Sequence, residues 1–237
     1  MSVRVVGQVT LREGETPESS QGVADRLGAV GLELTGALAS HAGVHFDLSV
    51  GGGDLTWDLL LDGEEAVAEL CRRLAGTGPE GMLGVLGGRL AELASQVASV
   101  ELAVPETLDT GLGSPGLVGV KRTLWLRVLP EAEAGQVARF EAETPLLAEA
   151  VPAIRNWRWS RVRALSPRPM ALRWTHLWEQ EFDSVDGLQV DYMSSPCHWG
   201  YIDRWFDLEM PDRVVDLWLA HLACPEQAPV LSWDSRH

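Results

Sequence analysis

Cysteine is sparse in this chain of 237 residues: Cys71, Cys197 and Cys224 are the only three. None forms a CxxC pair and no histidine stands at a zinc-ligand interval from them. Neither a disulfide framework nor a structural zinc is therefore expected, and the thiols read as free. Basic side chains are also scarce, with 19 Lys and Arg against 34 Asp and Glu and a formal net charge of −15. Phosphate neutralisation needs clustered cations, so this balance excludes a nucleic-acid binder and a basic membrane-surface patch. The acidity serves solubility and leaves a small neutral substrate open. No stretch reaches the ~18 apolar residues of a membrane span, and the N-terminal run lacks a signal-peptide core. A cytoplasmic protein is the expectation.

What is present is apolar material, 46% of the chain, enough for one large domain or two of roughly 110 residues. Val3 to Arg12 alternates as a strand, and a helix is expected from about Gln21 to Ser40 on the spacing of Val23, Leu27, Val30, Leu34 and Leu38. Strands are expected over 43–50 and 55–61 around the Gly51-Gly52-Gly53 turn, helices over 63–75 and 83–94, and a strand over 97–104. The run PETLDTGLGSPGLVG, residues 105–119, is rich in Gly and Pro and has no periodicity, as expected of a linker.

The same order recurs beyond it: a strand over 120–129, a helix over 131–150 broken near Pro145, strands over 156–164 and 172–182, a short helical or turn segment over 185–193, a helix over 196–207 and a strand over 214–221. The expected class is α+β, with tandem ferredoxin-like β-α-β-β-α-β repeats whose sheets pack as an intramolecular dimeric α/β barrel. The divisions are residues 1–108 as a scaffold repeat, 109–118 as linker and 119–237 as the repeat with the active pocket. A monomer or weak homodimer follows, because a tandem chain can form its own barrel.

The halves differ in chemistry. Nine of ten tryptophans, both tyrosines and four of six histidines lie after residue 120, whereas residues 1–115 carry 17 acidic against 6 basic side chains. Trp174 to Phe206 concentrates the contrast. A period of two over 172–182 puts Trp174, His176, Trp178 and Phe182 on one face, and Arg173, Thr175, Leu177, Glu179 and Glu181 on the other. Ser195-Pro196 has the form of an N-cap and first helical residue, so that His198, Tyr201, Ile202 and Trp205 share a helix face. An imidazole can take a proton from a carbon between two carbonyls, and a phenol can stabilise the developing enolate oxygen. Asp191 or Asp203 could orient such an imidazole. His41, His45, His221 and His237 read as structural or exposed, and Cys197 has no feature that makes it a nucleophile.

The segments THLWEQEF and DYMSSPCHWG resemble the stress-responsive dimeric α/β-barrel (Dabb) family, and within it the plant polyketide cyclases. The resemblance covers about 50 residues well. It implies that His198 is the general base, that Tyr192 holds a thioester or ketone oxygen, and that His176 lines the pocket. Ser195 stands where the family often has the first His of HPxH, and Arg122 where the cyclases carry a histidine on their first strand. The implied activity is a cofactor-free cyclase, or a related isomerase or lyase, acting on a small hydrophobic or aromatic polyketide intermediate. Trp174, Trp178, Trp199, Tyr201, Trp205 and Arg122 are the expected pocket wall, and neither cofactor nor metal is expected. Alternatives are a cofactor-independent or haem-using monooxygenase of the same superfamily, and a non-catalytic module that holds a hydrophobic ligand.

Overall fold

The computed structural model describes residues 1–74, 88–113, 118–165 and 174–233. In chain order the first half comprises β1 (Val3–Leu11), α1 (Pro17–Gly31), β2 (Ala37–Val44), β3 (Leu55–Leu61), α2 (Gly63–Leu74), a 3₁₀ segment (Gly88–Ser95) and β4 (Val97–Leu112). The second half comprises β5 (Val120–Val128), α3 (Ala134–Glu143), α4 (Leu146–Ala150), β6 (Ile154–Ala164), β7 (His176–Phe182) and β8 (Val215–Pro225). The strands form one antiparallel sheet in the order β2-β3-β1-β4-β6-β7-β5-β8, which is two ferredoxin-like sheets joined where β4 meets β6. Among the described residues no helix is long and apolar enough to cross a membrane.

Several element limits differ from the sequence expectation. Helix α1 starts earlier, because the Thr16 hydroxyl accepts from the Ser19 amide and Pro17 takes the first turn. It stops at Gly31, and Gly36, at φ +76°, turns the chain into β2 six residues before the expected strand. Residues 105–112 of the expected linker are the outer part of β4. They pair with β6 from Pro105↔Val162 to Leu112↔Asn156, and backbone pairing of this kind requires no side-chain periodicity. Residues 114–117 of that linker, 83–87 of the expected second helix and 172–173 of the expected strand lie outside the described residues.

The sheet closes on itself at a second, looser seam between β8 and the loop after β2. The Phe46 amide donates to the Ala223 carbonyl at 2.8 Å, and Val50 and His221 exchange backbone bonds at 2.9 Å each. The Ser49 hydroxyl accepts from the Ala223 amide at 3.0 Å. Gly51 makes this approach possible: it has φ +82°, and a Cβ there would stand 2.2 Å from the Leu219 carbonyl oxygen. Gly51→Ala is expected to cost about 1–3 kcal/mol of stability through combined backbone strain and collision, measured by denaturant unfolding.

Closure leaves both faces of the sheet buried. The outer faces carry helices over separate apolar cores, one around Val23, Leu27, Trp57 and Leu102 and one around Phe140, Trp159, Trp178 and Trp205. The barrel interior holds Val6, Ala103, Trp125, Trp174, Leu177 and Leu222, together with four charges. Arg4 from β1 is bidentate on Glu179 from β7, at 3.0 and 2.9 Å, and reaches Asp58 from β3 at 3.3 Å. Lys121 from β5, the only lysine in the chain, bonds Asp58 and lies 3.1 Å from Glu179. Burial alone would lower the Lys121 pKa and raise that of Glu179. The paired opposite charges override it, raising Lys121 and lowering Glu179. Each half supplies one cation and one anion, so the cluster ties the halves together across the barrel axis.

Candidate functional site

On the helix side of the second half, Arg122 of β5 and His221 of β8 face an apolar cavity of about 620 Å³ together with His198. Arg122, His198 and His221 also line a smaller recess beneath it, together with Trp178, Tyr192 and Asp203. Arg122 is on β5 because the alternation that sends Lys121 into the barrel turns its neighbour outward. Its guanidinium donates to Gln180 Oε1 at 2.6 Å and to His221 Nδ1 at 3.0 Å, and lies 4.9 Å from the centre of the Tyr192 ring.

Tyr192 and His198 arrive on two short π-helical turns, Gly187–Tyr192 and His198–Ile202. Such turns hold more residues per revolution than an α-helix and mark sites where side chains are re-aimed. Here they bring the Tyr192 and His198 rings to 4.7 Å between centroids. His198 Nε2 faces Asp203 Oδ1 at 3.9 Å, while Nδ1 is buried and has no partner among the described residues.

Burial and then the Arg122 charge push the His198 pKa down to about 4, and the same causes, with His198 itself, push His221 to about 3. Both imidazoles are neutral at pH 7 and each can accept a proton or a hydrogen bond. Accepting from Arg122 at Nδ1 leaves His221 with its hydrogen on Nε2. Burial raises the Tyr192 pKa, which keeps the phenol protonated as a donor, and burial also raises that of Asp203.

The five described histidines, His41, His45, His176, His198 and His221, all have lowered pKa values, led by desolvation. The unfolded chain therefore binds more protons than the folded one below about pH 6.5. Stability from these groups is complete above that pH and is lost as the pH falls through the window down to the folded values near 4 and 3. The Glu226 and Asp203 carboxyls, both raised chiefly by desolvation, pull the other way, two groups against five, and the lowered carboxyls of Glu69, Glu141 and Glu179 act with the histidines. Denaturant midpoints are expected to fall steadily from pH 7 to pH 4.

Not all the residues expected at the pocket meet there. His198, Tyr192, Arg122 and Trp178 do. His176 is behind them in the core, stacked 5.1 Å from Trp159 and hydrogen-bonded to Glu141 Oε1 and Thr175 Oγ1, both at 2.9 Å. Trp174 precedes the first residue of β7, so the period of two does not reach it. Its indole points into the barrel, 6.0 Å from Trp125, and donates to Glu101. Trp199 is 59% exposed, and Tyr201 is half-buried under Arg204. Trp205 is buried against Phe140. The expected α-helical face of His198, Tyr201, Ile202 and Trp205 is split by the π-helical turn and the 3₁₀ turn Asp203–Trp205 that follows it.

Sequence reasoning missed His221 and the first-half residues Leu48 and Val50, which complete the wall. His221 stands on the strand that pairs with β5, and the Leu124↔His221 register sets it two residues from Arg122↔Ala223, on the same face of the sheet. No local motif marks that juxtaposition. Among the described residues no group of three His, Cys, Asp or Glu side chains is placed to hold a metal ion.

Residues 120–217 match the family model of the Stress responsive A/B Barrel Domain. An anthrone oxidase-like protein of known crystal structure is similar over 94% of this chain and 90% of its own, with a TM-score of 0.63 and 14% identity. A candidate monooxygenase from Fusobacterium nucleatum subsp. nucleatum is similar over 96% of each chain, with a TM-score of 0.51 and 10% identity. At these identities the likeness is one of fold. No curated protein matches the chain in sequence.

Proposed function

From the match of residues 120–217 to the Stress responsive A/B Barrel Domain, we propose that the protein is an acid–base catalyst, requiring no cofactor, that cyclises or isomerises a carbonyl-bearing polyketide or aromatic intermediate. The observation that carries this reading is the neutral His198 imidazole on the wall of the apolar cavity, its ring centre 4.7 Å from that of the protonated Tyr192 phenol in the adjoining recess. Nε2 of His198, the ring nitrogen that is not buried, makes no hydrogen bond among the described residues, its nearest carboxylate oxygen being Asp203 Oδ1 at 3.9 Å, and it takes a proton from a carbon beside a carbonyl. The electron pair moves onto the carbonyl oxygen, which accepts a hydrogen bond from the Tyr192 hydroxyl. The carbon then attacks a second carbonyl in the same chain, and the new alkoxide recovers the proton from the imidazolium. The buried side chains of Leu188 and Leu222 present apolar surface to the chain beside the reacting carbons. Because both halves of the barrel come from one chain, the working unit is a monomer or a weak homodimer in which each chain keeps its own barrel.

The test is proton exchange into an aromatic 1,3-diketone in deuterated buffer, followed by mass spectrometry. Enzyme-accelerated exchange is expected, and exchange at the buffer rate would reject the base. A second reading, a monooxygenase, is favoured by the likeness to the anthrone oxidase-like protein. It requires dioxygen uptake with the substrate, which an oxygen electrode measures and a cyclase does not show.

A further inference from the structure

We propose that the cavity is built for a hydrophobic monocarboxylate, whose carboxylate pairs with Arg122 while its apolar body lies along Leu48, Leu188, Val190, Met193 and Leu222. The proposal rests on the reading of this cavity as the reaction site and names the class of molecule it takes. The observation behind it is a charge without a counter-charge. Arg122 is only 4% exposed, yet its partners are an amide oxygen, a neutral imidazole and a phenol ring, and it forms no ion pair among the described residues. The other buried cation of β5, Lys121, is matched by two carboxylates. Asp203, the carboxylate on the recess wall, faces His198 instead.

A buried cation left unpaired costs several kcal/mol, on the order of what a broken buried ion pair costs. A guanidinium presents five N–H donors in a fork suited to a carboxylate, and Gln180 and His221 accept only two of them. Size and charge narrow the ligand. Arg122 is the only cationic side chain among the residues lining the main cavity, and the other lining groups are apolar or neutral. A monoanion is compensated there, whereas a phosphate dianion is left with one charge unmatched. The net −15 of the chain does not oppose this, because distant surface charges are screened over about 8–10 Å of salt solution while a contact pair at the buried Arg122 is screened much less.

Isothermal titration calorimetry of the intact protein with 2-naphthoate and with its methyl ester tests the assignment. Wild type is expected to bind the acid at least tenfold tighter than the ester, without competition from inorganic phosphate. Arg122→Gln brings the acid down to the affinity of the ester, and Arg122→Lys keeps part of the preference. Equal binding of acid and ester by wild type overturns the proposal, as does retention of the full preference by Arg122→Gln, displacement by phosphate, or no binding of either probe at millimolar concentration. Should Arg122→Gln fail to fold by circular dichroism, the wild-type ratio decides alone. His198→Gln separates this proposal from the catalytic one: it retains the acid preference while proton exchange is lost. Acid preference without exchange in wild type would reject the base and leave the anion site standing.

Discussion

Replacing His198 with alanine is expected to lower the rate of proton exchange or ring closure by about 10²–10⁴-fold, the contribution of one positioned acid–base group. The fold is expected to survive, because His198 is at the cavity edge and makes no hydrogen bond shorter than its 3.9 Å approach to Asp203. Near-ultraviolet circular dichroism, which the tryptophans of this half dominate, provides the control. The pH profile supplies an independent readout. A base held at about 4 by burial and by Arg122 is already deprotonated at pH 5, so the wild-type rate should be flat from pH 5 to 8 instead of bending near 6.5. Removing the Arg122 charge by Arg122→Gln should move the lower bend upward, since the second cause of the depression is gone. A bend that stays in place in that variant would show that the group titrating is not this histidine.

Asp58→Ala is expected to be the most damaging single change to stability, about 3–5 kcal/mol by equilibrium unfolding, because it strands a fully buried cation. Asp58 is the nearer of the two carboxylates around Lys121 and also accepts from Arg4. Without it, two buried cations share Glu179 alone. The loss should act on the contact between the halves, because Arg4 and Asp58 come from the first sheet and Lys121 and Glu179 from the second. Lys121→Met on the Asp58→Ala background should recover part of the loss, since it removes the stranded charge and leaves apolar volume in its place. Additive losses in that double variant would mean that the four groups do not form one coupled cluster.

These results depend on features of very different legibility. Element order was readable: alternation in Val3–Leu11 and Val120–Val128, and the break at Pro145, are local patterns that hold whatever the partners. The extent of β4 was not, because Pro105 to Leu112 is held as strand by pairing with β6, and pairing of remote backbones leaves no periodic trace. In the same way Glu179 reads locally as a surface carboxylate on the polar face of β7. It is a core residue because closure turns that face inward.

The sequence by itself determined the repeat grammar, the chemical contrast between the halves, and the candidate pocket residues His198, Tyr192 and Arg122 that the structure brings together in the second of them. Local propensity, alternation and motif resemblance act within a few residues and are written directly in the chain. Only the tertiary structure decided that His176, Trp174, Trp199 and Trp205 point elsewhere, that His221 joins Arg122, and that Leu48 and Val50 of the first half close the cavity of the second. Those outcomes depend on sheet register, on two π-helical turns and on a seam between segments about 170 residues apart, and no short-range pattern encodes them.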